Sequence, residues 1–144
     1  MDEITRARLR QRRDREMARA IEHGREAPDR FLEAWLKGVK KVGPQYFEFR
    51  APIYDASVQP AASLEEVTSK WQVVPNEAFI EQSIGVLSSG EATLLAVMCS
   101  FYNAEWGGRL MRAQGIEGMA DIAGTLDLDS NEIVAALLVN YTGW

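Results

Sequence analysis

Residues 92–102, Ala-Thr-Leu-Leu-Ala-Val-Met-Cys-Ser-Phe-Tyr, are apolar on nearly every side when wound as a helix. A helix with one apolar stripe can lie on a surface, but a helix that is apolar all round has to be surrounded. The run falls short of the roughly 20 residues that cross a bilayer. The remainder of the chain must therefore wrap around it, and a mostly α, single-domain fold is expected. Ser88 and Glu91 stand just before the run at the spacing of a capping box, which marks its start.

The other elements are read from the same signals. Residues 2–23 are rich in strong helix formers and contain no Gly or Pro, so they read as a helix that Gly24 stops. Met17 and Ile21, four apart, are expected to pack. Pro28 opens the next helix. Phe31, Leu32, Trp35, Leu36, Val39 and Val42 give it an apolar stripe, and Gly43-Pro44 ends it. Phe47 and Phe49 alternate with polar neighbours, so at most a short strand is expected near 45–50. Residues 51–62 read as a linker. Ser63 and Glu66 suggest a second capping box, and Pro75-Asn76 starts a further short helix through about Val86.

Residues 103–114 read as a helix interrupted at Gly107-Gly108, and 117–126 as another. Asp129 and Glu132 have capping-box spacing, with Leu128 and Ile133 as a hydrophobic staple, and the last helix follows. Gly143 stands where a left-handed cap belongs, with Trp144 folding back on Val139. The expectation is about six helices. A basic arginine-rich helix, 1–24, precedes a helical domain, 25–144.

Composition narrows the function. A single cysteine, Cys99, excludes an internal disulfide and a cysteine zinc cluster, and a single histidine, His23, excludes a His-His metal pair. Cys99 reads as inert core and His23 as a residue at a helix C-terminus. No catalytic triad spacing or phosphate loop stands out, and Glu117 with Asp121 reads as a solvated face. The expectations are a non-enzyme with no cofactor, no metal and no small-molecule substrate. No secretory leader or membrane span is read, so a cytoplasmic location follows. Charge is unevenly placed: residues 1–50 carry 13 Lys and Arg against 9 Asp and Glu, while 51–144 carry 3 against 12. A basic N-terminal element on an acidic body can address a nucleic acid, an acidic protein face or its own body.

Three constellations could carry binding. In the first helix Arg8, Arg12, Arg15 and Arg19 fall at i, i+4, i+7 and i+11. Arg6, Arg10 and Arg13 repeat the pattern on a neighbouring face. Guanidinium groups engage phosphates and carboxylates through paired N–H donors. The bland alternative is a solvated helix laced by Asp2–Arg6, Arg10–Asp14 and Arg12–Glu16. The aromatic group Tyr46, Phe47, Phe49 and Tyr54, near Lys40, Lys41 and Arg50, could stack bases or simply be buried.

The third is residues 118–141. Ala123 is small and flanked by apolar Ile122 and Leu126; Leu128 follows the turn, and Ile133 and Leu137 occupy buried positions of the second helix. This stretch resembles a helix-turn-helix unit, with Asp127 in place of the usual turn glycine. The resemblance implies a DNA-binding transcriptional regulator. Yet the would-be recognition helix opens Asp129-Ser-Asn-Glu132 and carries no cation, whereas affinity for DNA comes chiefly from cations. The favoured expectation is a small interaction protein: an accessory or inhibitory binder of phage or plasmid type. It would dock on a protein or ribonucleoprotein, with contact to nucleic-acid backbone open. The seven arginines would carry the docking together with the acidic body.

Overall fold

The computed structural model describes residues 1–51, 57 and 59–144. In chain order the elements are α1 (Glu3–Val42), β1 (Phe47–Phe49), β2 (Val73–Pro75), α2 (Glu77–Ser83), α3 (Ser89–Tyr102), α4 (Ala104–Ala113), α5 (Met119–Thr125) and α6 (Leu128–Asn140). Short 3-10 turns join several of them. The chain is mostly α, as its apolar patterning requires, and no described helix is long and apolar enough to cross a membrane.

Residues 92–99 of α3 are all buried, so α3 is the centre of the fold. Ser88 caps it, its Oγ accepting from the Glu91 amide at 3.2 Å. Around α3, one continuous core joins Phe31, Trp35 and Val39 of α1 to Ile80, Leu110, Ile122 and Leu137 of the other helices. The break after α3 comes at Asn103, not at Gly107-Gly108. The Asn103 side chain accepts from the Trp106 amide at 2.9 Å and so starts α4 at once. Gly107 is continuous helix, and its missing side chain is what lets α4 fold back. A Cβ there would overlap the backbone of Ser100.

The stop expected at Gly24 and the start expected at Pro28 are absent, because α1 runs through both. Pro28 cannot donate to the carbonyl four residues earlier, and that residue is Gly24, which is exposed, so water can reach its carbonyl. A proline inside a helix costs about 3 kcal/mol. Burial of Ala27, Phe31, Ala34, Trp35, Gly38, Val39 and Val42 on one face of α1 offsets it. The N-terminal half has no such packing. Met17 is 58% and Ile21 55% exposed, so the pair expected to pack does not. Residues 3–22 stand off the body as an exposed arm about 30 Å long at 1.5 Å per residue.

Phe47–Phe49 forms the expected strand. Its antiparallel partner Val73–Pro75 was hidden in the sequence, since three residues are too few to show alternation. The buried indole of Trp35 donates to Val73 O at 2.9 Å and ties this small sheet to α1. Ser63 and Glu66 form only a 3-10 turn without a side-chain cap. The reciprocal box is instead at Ser69 and Gln72. Of the linker 51–62, residues 52–56 and 58 lie outside the described part.

After α6 the chain is extended at Tyr141, so no left-handed cap forms there. Gly143, at φ 97°, turns the chain, and Trp144 lands on Trp35 (ring centroids 4.7 Å apart), Tyr102 (5.3 Å) and Phe31 (5.9 Å) rather than on Val139. The Lys70 ammonium lies 5.0 Å from the Trp144 ring centroid and 5.2 Å from that of Phe31, and it donates to the Gly143 carbonyl. Desolvation there pushes the Lys70 amine below its ordinary pKa.

Two substitutions test this packing. Gly107→Ala should destabilise by about 1–3 kcal/mol or more, because backbone rather than a flexible side chain must move. Trp144→Ala should lose about 2 kcal/mol by urea denaturation, the scale for uncovering a large half-buried side chain.

Candidate functional site

The seven arginines lie on the arm and all are exposed. Only Arg12 is paired among the described residues, its Nε standing 2.9 Å from Glu16 Oε1. Of the pairs that a solvated, ion-paired helix would make, Asp2–Arg6 and Arg10–Asp14 do not form among the described residues. Asp2 instead caps α1, accepting from the Thr5 amide at 2.7 Å, and this bond holds its carboxyl below the usual range. Nearer the body the ion pairs are Arg25–Glu22 at 3.6 Å and Arg30–Glu26 at 2.5 Å. Arg6, Arg8, Arg10, Arg13, Arg15 and Arg19 thus offer their donors to solvent.

At 100° per residue, Arg8, Arg12, Arg15 and Arg19 share one side of the arm, and Arg6, Arg10 and Arg13 lie about half a turn away, on the opposite side rather than on the neighbouring face expected. The second group continues the side that turns Phe31 and Trp35 into the core. His23 stands at the arm's root. It is mid-helix rather than at a helix end, and its Nε2 donates to Val139 O of α6 at 2.8 Å.

The unit 118–141 folds as α5 and α6 joined by a short turn. Ala123 is exposed, so it makes no close helix crossing, and Leu128 is 73% exposed, so it is no staple. The cap of α6 is Asp127, two residues earlier than expected. Its Oδ1 accepts from the Ser130 amide at 2.8 Å, and the carboxylate receives the Lys41 ammonium at 2.7 and 2.9 Å. Asn131, in the first turn of the would-be recognition helix, spends its amide on the carbonyls of Ala123 and Leu126, both at 3.1 Å. The outward side of α6 shows Leu128, Asp129, Glu132, Ala135 and Val139 and no cation. An open groove of about 650 Å³ runs between α1 and α6, with Arg30, Lys37 and Lys41 on one wall and Asp129 and Glu132 on the other.

The remaining candidates are structural. Tyr46 and Phe47 are buried and Phe49 packs on the core, while Tyr54 lies outside the described residues. Cys99 is buried, which pushes its thiol far up. Asp121 caps α5 by accepting from the Glu117 and Gly118 amides at 2.9 and 3.0 Å. Among the described residues no group of three acids, histidines or cysteines is placed to hold a metal. Sequence reading missed the Lys70–aromatic contact, which joins residues far apart in the chain and leaves no local signal.

The Lys41 bond holds the Asp127 carboxyl down at about 2, against 3.8 ordinarily, with the Ser130 amide adding to the effect. Because the folded pKa lies below the unfolded one, its contribution is complete above about pH 4 and is lost as pH falls towards 2. Asp127→Asn keeps a capping side chain without the charge. Its stability should therefore fall less than that of the wild type between pH 4 and pH 2 in acid titrations followed by circular dichroism. Compared with known proteins, the chain matches no family model, no curated protein and no solved structure.

Proposed function

We propose that this chain is a small non-enzymatic binding protein, an accessory or inhibitory binder that docks on a protein or ribonucleoprotein through its arginine arm. One observation carries the reading: about five turns of helix project from the body with six unpaired guanidinium groups. The core gains nothing from them, and a helix without packing is marginal in water. A surface that folding does not require is where a partner fits. Arginine suits the task, since its planar fork meets carboxylates and phosphates with two bonds at once. The acidic remainder of the chain discourages non-specific contact with nucleic acid and leaves the arm as the approach for an anionic face. Nothing on the outward side of α6 favours sequence-specific reading of DNA.

The test is the triple variant Arg8→Glu, Arg12→Glu and Arg15→Glu, used beside the wild type in affinity purification with quantitative mass spectrometry. Partners retained by the wild type should be depleted on the variant by about tenfold or more. The variant should melt within about 3 °C of the wild type, because exposed charges contribute little to folding. A ribonucleoprotein partner should also show a shallower dependence of binding on salt once three cations are gone. A variant that keeps the same partners at the same yield overturns the proposal.

A further inference from the structure

We infer that the arm lies in the major groove of B-form DNA with its two arginine stripes on the two phosphate walls, an inference that rests on the reading of the arm as the docking element. The seven arginines do not form one patch. Arg8, Arg12, Arg15 and Arg19 run along one side of the arm, and Arg6, Arg10 and Arg13 along the opposite side. A helix laid on the flat acidic face of a protein engages one of its sides and leaves the other stripe in water. A groove with phosphates on both walls engages both stripes at once. An α-helix with its side chains is about 10–12 Å across, and the major groove of B-form DNA is about 12 Å wide. The deep, narrow major groove of A-form RNA does not admit it.

The edge between the stripes fits the floor of that groove. Ala7, Gln11, Asp14 and Ala18 fall at i, i+4, i+7 and i+11, so they share one edge, midway between the two stripes. All four are exposed. The two alanines keep the edge slim, so the helix can approach the base pairs. Between them stand the two side chains with base-reading chemistry. A glutamine pairs with the N6 and N7 edge of adenine, a carboxylate accepts from the cytosine amino group, and an alanine methyl packs on that of thymine. Neither Gln11 nor Asp14 has a side-chain hydrogen bond or ion pair among the described residues, so both are free to read.

The body leaves this edge open. Five turns further along α1, the same edge carries Arg25 and Asp29, both exposed. The core is met on other sides of α1, by Phe31, Ala34 and Trp35. A duplex seated on the edge therefore lies away from the body. The acids of the arm are placed to allow it. Glu16 faces out of the groove and is paired with Arg12, Asp2 and Glu3 precede the arginines, and Glu22 follows them.

Fluorescence anisotropy with the full chain tests the inference. The labelled probes are a DNA duplex of about 20 base pairs, one of its strands, and an RNA duplex of the same sequence, at about 50 mM salt. The DNA duplex should bind about tenfold more tightly than either of the others. Its log affinity should fall with log salt at a slope of about −5, from six free guanidinium groups. Arg6→Gln with Arg10→Gln and Arg13→Gln should flatten that slope by about 2–3 and weaken binding about tenfold or more, and Arg8→Gln with Arg12→Gln and Arg15→Gln should do the same. Glutamine keeps the helical preference, so both variants should retain the wild-type circular dichroism. In selection from a randomised duplex pool, Gln11→Ala should keep the slope but lose about tenfold in discrimination at one base pair. Unchanged discrimination overturns the base contact. A DNA duplex bound no better than the strand or the RNA overturns the inference, and so does a loss confined to one stripe, which marks a protein surface. If DNA is not bound while the Arg8, Arg12 and Arg15 to Glu variant still loses its partners in affinity purification, the groove falls and the docking role of the arm stands. If those partners are unchanged as well, both fall.

Discussion

Everything in this fold is arranged to keep water off α3. Its residues 92–99 are buried on every side, so each neighbour must present an apolar face to it, and the chain divides into the parts that do and the parts that do not. α1 crosses it with Phe31, Trp35 and Val39, and α4 folds back on it because Gly107 has no side chain. α5 and α6 close the remaining side. The first five turns of α1 have no such duty, and they are where the arginines are gathered. The division between structural and available surface thus follows from the chemistry of one helix.

The sequence shows this centre plainly because an all-apolar run has one reading. It also shows the helical stripe at 31–42 and the caps at Ser88 and Asn76, where a single side chain settles a helix start. It misleads where local preference and tertiary packing disagree. Gly24 and Pro28 each argue for a helix end, yet α1 passes through both, because the packing of its second half outweighs their local cost. Glycines 107 and 108 suggest a break for a reason that is real elsewhere; here the first of them serves a close approach. Asp127 and Asp129 compete for the same cap two residues apart, and the Lys41 ammonium, invisible at that range in sequence, favours Asp127.

The arginine pattern itself is fully legible, but its freedom is not. Three ion pairs were equally plausible from spacing, and only Arg12–Glu16 forms. Asp2 is drawn to the helix start, where the free Thr5 amide is a better donor than a mobile guanidinium. The exposure of Met17 and Ile21 is the reverse case. Their spacing signals a buried face, and the chain supplies nothing to bury them against.

The placement of Trp144 has an optical consequence. Its ring centroid lies 4.7 Å from that of Trp35 and 6.0 Å from that of Trp71, so three of the four indoles are electronically close, while Trp106 stands apart with its N–H on Glu81. Neighbouring indoles couple their transitions and give a split signal in circular dichroism that separate ones lack. The Lys70 ammonium lies 5.0 Å from the Trp144 ring centroid and 5.8 Å from that of Trp71, so its charge acts on this cluster. Light absorbed by this chain therefore reports whether residues 141–144 are seated on α1, without a label and without reference to the arm, which contains no tryptophan.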